Sequence, residues 1–168
     1  MRRMHEAAKA LVGEDRLVTS STLAQIYVSP RQRAKQTLAI LELPSSIPVT
    51  VTEALAEWDY GDYEGITTEE IKKSREDGKW DIWKDGCPGG EMPEDVERRV
   101  DGLIKHIKDL HKEAVDEDRN GDVVLVAHGH ILRSLTARWL GLPIWAGHHF
   151  LLDAGGVGVL WCAVLLRV

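Results

Sequence analysis

The sequence predicts an α/β sandwich with a largely parallel sheet, and three observations carry that expectation. Short β-branched runs at Gln25 to Val28, Val49 to Val51 and Val123 to Val126 alternate with segments whose apolar residues recur at helical spacing. Turn chemistry separates them, with Pro44, Pro143 and the Cys87-Pro88-Gly89-Gly90 cluster at the breaks. Strand and helix in repeated alternation is the pattern of parallel strands joined by helical crossovers. A chain of 168 residues is long enough to bury one core, so a single domain over 1–168 is expected.

Met1, Met4, Ala7, Ala8 and Leu11 recur at helical spacing, and Gly13 is placed to end that helix. Its start is poor. No Ser, Thr, Asp or Asn caps it, and Arg2 and Arg3 oppose the positive end of the macrodipole. A helix inside a complete domain rarely begins so, and the expectation is a chain that starts within an element. Gln25 to Val28 reads as a strand, followed by Ser29-Pro30-Arg31-Gln32. Ser29 as N-cap, Pro30 at the first helical position and Gln32 completing a capping box would open a helix. Ala34, Leu38 and Leu41 give it an apolar face. Arg31 and Arg33 fall in its first turn, where cations oppose the dipole and a nearby anion would relieve a cost. Solvated surface arginines are the alternative.

Val49 to Val51 is the next strand. Glu57 to Gly65, E-W-D-Y-G-D-Y-E-G, mixes carboxylates, aromatics and glycines as functional loops do. Thr67 and Glu70 suit a capping box for a short helix, while Trp80, Trp83 and the Cys87 to Glu91 turn suggest an irregular, lid-like excursion. Val96, Val100, Leu103, Ile104 and Ile107 share one face of a helix from Pro93 to Leu110. Asp116 to Gly121 is a polar link into Asp122 to Gly141, the stretch the rest is organised around. There Val123 to Val126 reads as a strand buried on both faces. Ile131, Leu132, Leu135, Trp139 and Leu140 line a helix closed by Gly141 and Pro143. Val157 to Val168 is the candidate last strand. Between strand and helix sits Ala127-His128-Gly129-His130. A histidine at the carboxyl end of a parallel strand, facing the amides of the next helix, is placed for chemistry on an anion; a satisfied structural histidine is the alternative.

Composition excludes several classes. A net charge of -6 without a basic stripe argues against a nucleic-acid partner. Cys87 and Cys162 make no disulfide framework and no zinc spacing, which fits a reducing, cytoplasmic setting. The charged N-terminus is unlike a signal peptide. The uncharged run Ala154 to Leu166 is too short to span a bilayer, so no membrane partner is expected. His128, His130, His148 and His149 lack a carboxylate or cysteine at suitable spacing, and no metal is expected.

Ser29-Pro30-Arg31-Gln32-Arg33-Ala34-Lys35-Gln36-Thr37, Glu57-Trp58-Asp59-Tyr60-Gly61, Gly89-Gly90-Glu91 and Ala127-His128-Gly129-His130, in that order, resemble the histidine phosphatase superfamily. The loop from Glu57 is most similar to the fungal sedoheptulose-bisphosphatase-like branch. The resemblance implies the phosphoglycerate-mutase-like fold, a three-layer sandwich with a mostly parallel sheet. It also implies hydrolysis of a small phosphorylated metabolite, a sugar bisphosphate, through a phosphohistidine and without cofactor or metal. Carried over residue by residue, Arg33 would clamp the phosphoryl group. Glu57 would protonate the leaving alcohol and later activate water. His128 would stabilise the charge that develops in transfer. Arg31, Trp58, Tyr60 and Gly129 would be substrate contacts, with His130 and Arg133 supporting the pocket.

One departure stands out. The family's nucleophile is the histidine of an R-H-G motif at the end of the first strand, and nothing here matches it. Arg3 and His5 are separated by Met4, and Glu6 stands where glycine should. The resemblance therefore implies that the first strand is absent and the domain shortened at its N-terminus, with Trp161 to Val168 departing from the family's pattern too. The chain itself is then expected to be inactive. A sheet without an interior strand exposes an edge, which favours a homo-oligomer. A non-catalytic phospho-ligand or protein-binding relative and a phosphoglycerate mutase remain as alternatives.

Overall fold

In the computed structural model, Ala8 and residues 10–161 are described. Of the expected first helix only Ala8, Ala10 and Leu11 fall among them, and they are helical. The rest of it, and residues 162–168 of the candidate last strand, lie outside the described residues. Residues 157–161, which are described, form no strand.

Among the described residues the sheet has the strands β1 (Leu23–Val28), β2 (Val49–Val51) and β3 (Asp122–Val126), in the order β2-β1-β3. Both pairings are parallel, with Tyr27 opposite Thr50 on one side and Leu125 on the other. The β-branched runs thus became strands where expected. The middle position belongs to β1, however. β3 is an edge strand here, half-buried until Val126 instead of buried on both faces.

Beyond that first helical stretch, the α-helices among the described residues are α1 (Gln32–Ile40), α2 (Thr68–Ser74), α3 (Ile82–Asp85), α4 (Pro93–Asp116) and α5 (Gly129–Trp139). Strand alternation sorts them into layers. Tyr27, Val123 and Leu125 pack into the large core with Val96, Val100, Leu103 and Ile107 of α4 and Ile131 and Leu135 of α5. Val28, Val124 and Val126 face the other way, onto Ala34, Leu38 and Leu41 at α1. Helix, sheet, helix is the three-layer sandwich the sequence predicts.

Three local expectations change. Ser29 does not cap α1: Arg31 holds the N-cap position, and no side chain bonds to the first turn. α4 runs past Leu110 to Asp116, because Ala114 continues the buried stripe and Lys105–Asp109 and Lys112–Asp116 brace its outer face at 2.6 and 2.7 Å. Trp80 and Trp83 form no lid. Both are buried; Trp83 meets Trp58 edge to face at 5.7 Å, and the Trp80 indole N–H donates to the Gly86 carbonyl at 2.9 Å. The capping box at Thr67 and Glu70 forms as expected.

Candidate active site

The carboxyl ends of β1 and β3 lie side by side, and each runs into a helix N-terminus. The Ser29 N–H donates to the Val126 carbonyl at 2.9 Å, which ties the two strand ends together. His128 follows β3 as the N-cap of α5 and is nearly buried. The Arg33 Nε–H, from the first turn of α1, donates to its Nδ1 at 2.8 Å. A guanidinium is always protonated, so Nδ1 must be the acceptor. The ring proton therefore sits on Nε2, which donates to the Ser29 Oγ at 2.7 Å. Burial first, and the Arg33 charge next, hold His128 below the ordinary histidine value; Glu57 opposes them and Arg31 adds to them. Among the described residues the two outer nitrogens of Arg33 have no protein partner. Arg31 itself is exposed at the rim.

Glu57 reaches the same place from the loop after β2. Its Oε1 accepts the N–H groups of Ile131 at 3.0 Å and of its neighbour Trp58 at 3.1 Å, and its Oε2 accepts the His130 N–H at 3.3 Å. The carboxylate thus caps α5 in place of a side chain from its own N-cap. The Gly129 N–H, the first amide of α5, finds no protein acceptor among the described residues. A Cβ built on Gly129 would meet nothing within 4 Å, so the space beside this residue is open.

Tyr60 and His130 form the adjoining wall. Burial, with Glu57 adding, raises the Tyr60 phenol well above its usual range, while burial lowers His130 against the pull of Glu57. Both groups are then neutral, and the Tyr60 hydroxyl and His130 Nδ1 share a hydrogen bond of 2.8 Å. Beyond them opens a cleft of about 690 Å³ lined by Tyr63, Thr67, Lys72, Trp80 and Trp83, with Tyr60 and His130 at its wall; Arg33 and His128 are not among its lining residues.

The geometry brings together Glu57, His128, Arg33 and Gly129, with Tyr60 alongside and Arg31 at the rim. Trp58 stands apart from the expected substrate contacts. It is 1% exposed, and its indole N–H donates to the Glu91 carbonyl at 2.9 Å, so it is a core peg beneath the loop.

Three further residues matter. Ser29 is hidden in a string that also reads as a capping box, and nothing local in the sequence separates the two. Glu91 and Arg99 pair through both carboxylate oxygens at 2.7 and 2.9 Å. The Arg99 Nη1 also donates to the carbonyls of Glu53, Ala54 and Ala56, directly before Glu57. An arginine between Val96 and Val100 in a helix was the available signal. Among the described residues no group of three or more His, Cys, Asp or Glu is placed to hold a metal ion.

The sequence and the fold have known relatives. The family profile "Histidine phosphatase superfamily (branch 1)" matches residues 5–163. Sedoheptulose 1,7-bisphosphatase of Saccharomyces cerevisiae is 33% identical over 94% of this chain and 74% of its own length. An acid phosphatase of Mycobacterium tuberculosis is 36% identical over 80% of this chain and 60% of that protein. In three dimensions, the mycobacterial glucosyl-3-phosphoglycerate phosphatase in complex with inorganic phosphate superposes with a TM-score of 0.67 at 26% identity, over 90% of this chain and 71% of that one.

Proposed function

Because this chain belongs to the histidine phosphatase superfamily (branch 1), we propose that Arg33, His128 and the Gly129 amide form a phosphoryl-binding pocket for a small phosphorylated metabolite. The observation that carries this is the Arg33–His128 hydrogen bond of 2.8 Å, which uses only Nε and leaves the outer fork for an anion. The phosphate complex of a structural relative supports the ligand chemistry. The likeness to a sedoheptulose bisphosphatase supports a sugar bisphosphate as substrate class.

In the reaction this family performs, an imidazole nitrogen attacks phosphorus and the bond to the leaving alcohol breaks. Glu57 would give its proton to the departing oxygen, and the oxygens of the transferring group would lie against the outer nitrogens of Arg33, which His128 holds in place through Nδ1. Water would then attack the phosphohistidine, with Glu57 taking its proton, and the N–P bond would break. No metal is called for, since Arg33 and the α5 amides supply the positive field. Among the described residues of the site, no imidazole is placed to make that attack. His128 is held at both nitrogens and His130 is engaged by Tyr60, so neither is placed as the nucleophile.

These 168 residues alone are therefore expected to bind phosphate without turning over phosphomonoesters. Glu57 as general acid contributes only about 10²–10⁴-fold, against an uncatalysed reaction among the slowest known. The test is turnover of a sugar bisphosphate by the purified 168-residue chain, beside a form extended upstream by a strand ending in R-H-G. Turnover in the extended form alone, largely lost in its Glu57→Gln variant, is expected. Robust turnover by the 168-residue chain, with phosphohistidine left on it, would overturn the reading.

A further inference from the structure

Ser29 is fully buried at the end of β1, yet it caps no helix. Its Oγ has two neighbours, the His128 Nε2 at 2.7 Å and the Arg31 N–H at 3.3 Å. The first of these is the consequential one. A neutral imidazole has two tautomers, and which one is present depends on what each nitrogen faces. Here both nitrogens face the same short segment of chain. Arg33 can only donate, which fixes Nδ1 as acceptor, and Ser29 supplies the oxygen that the proton on Nε2 then requires. The ring is held at two opposite corners, so its rotation is fixed as well as its protonation.

We propose that Ser29 is a positioning residue of the phosphoryl pocket: its hydroxyl holds His128 by Nε2 so that Nδ1 stays turned to Arg33 and the guanidinium presents its outer nitrogens to an anion. This rests on the reading of the pocket as a phosphoryl site. Removing the oxygen leaves a buried Nε2–H without its acceptor, so the ring has reason to turn or to change tautomer. Either change takes the acceptor away from Arg33 Nε, and a guanidinium without that anchor samples other rotamers. Ser29 would thus act on the ligand only through His128 and Arg33.

A second buried serine provides the comparison. Ser134 is equally buried, but its Oγ donates to the His130 carbonyl at 2.9 Å, one turn back in α5, and is not bonded to His128. A purely structural role for Ser29 would make Ser29→Ala and Ser134→Ala alike.

The experiment uses the 168-residue chain with 15N-labelled histidine, at a pH where His128 is neutral, and reads the tautomer from the ring nitrogen shifts. The parent should show His128 with its proton on Nε2. Ser29→Ala should lose that single signature and bind inorganic phosphate roughly tenfold more weakly, the scale on which an orienting partner of a functional imidazole is felt. Ser134→Ala should change neither. A parent with the proton on Nδ1 overturns the proposal without any variant, so it stays testable even if Ser29→Ala fails to fold. An unchanged tautomer in Ser29→Ala also overturns it. Phosphate affinity that survives Ser29→Ala but not Arg33→Ala overturns the positioning role while leaving the pocket intact. A parent that binds no phosphate overturns the pocket reading, and the proposal with it, whatever the tautomer.

Discussion

Arg33 meets His128 through Nε alone, and that decides what the rest of its side chain can do. A lysine at this position would keep the charge but offer one compact donor group, unable to hold Nδ1 and an anion in a fixed plane together. Arg33→Lys should therefore lose phosphate binding almost as fully as Arg33→Ala. Charge-assisted hydrogen bonds contribute about 1.5–3 kcal/mol, so calorimetry should read a loss of roughly tenfold to a hundredfold. Near-parental affinity in Arg33→Lys would show that charge alone suffices. The histidines make a second prediction at this scale. Burial lowers His111, His128 and His130 below the ordinary 6.5, so in the window just below 6.5 the unfolded chain binds more protons than the folded one. Stability present above 6.5 is then lost as pH falls towards the depressed folded values. The exposed carboxylates Glu70 and Asp77 are shifted down too, and they act only in a more acid range. Urea midpoints at pH 7.5 and 5.5 should differ, and His128→Gln should narrow the gap; identical midpoints in the parent would refute this.

The loop that carries Glu57 is irregular, and its position is set from outside. Arg99 of α4 pairs with both Glu91 oxygens and collects the three carbonyls before Glu57, while the Asp59 N–H donates to Glu91 at 3.0 Å. Two glycines make the fit possible. A Cβ on Gly61 would lie 2.2 Å from the Gly90 nitrogen, and one on Gly90 would lie 2.3 Å from the Asp59 carbonyl oxygen. Breaking a fully buried pair costs about 3–5 kcal/mol. The Arg99 and Glu91 side chains are 18% and 22% exposed, which reduces that for Arg99→Met to roughly 1–3 kcal/mol. Arg98→Met, next in sequence but 75% exposed at its pair with Asp95, should cost well under about 1 kcal/mol. Equal urea midpoints for the two variants would sink the clamp.

Elements of this kind explain what the sequence concealed. β-branched runs, the apolar stripe of α4 and the Thr67 capping box depend on near neighbours, and all were readable. Trp58, Trp80 and Trp83 looked like loop aromatics, because only the tertiary fold stacks them into the core. Ser29 looked like a cap, because its actual partner lies 99 residues away.

At the scale of the molecule, the alternation of strand and helix was enough to give the layers, since the three β-branched runs matched strands and the stripes of α1, α4 and α5 faced the sheet, although residues 157–161 of the candidate last strand form none. The order of the strands was not readable, because it depends on which crossovers lie side by side. It has a consequence for solution behaviour. β1 is paired on both sides, but among the described residues β3 is paired only with β1, and its outer row of N–H and C=O groups has no ladder. Such an edge is a template for another chain. Each buried polar group left without a partner costs about 1–3 kcal/mol, against a total stability of roughly 5–15 kcal/mol for a domain, so even a few would weigh heavily. Exposed apolar side chains add to the drive, with Leu151 at 94% and Val159 at 64% exposure. The 168-residue chain is thus expected to self-associate, with an apparent mass and melting temperature that rise with concentration. Sedimentation from micromolar to hundred-micromolar chain would show it, and Leu151→Ser, which removes no buried contact, should leave the edge contribution in place. A monomer across that range, melting sharply at a temperature independent of concentration, would mean that the β3 edge is satisfied within one chain.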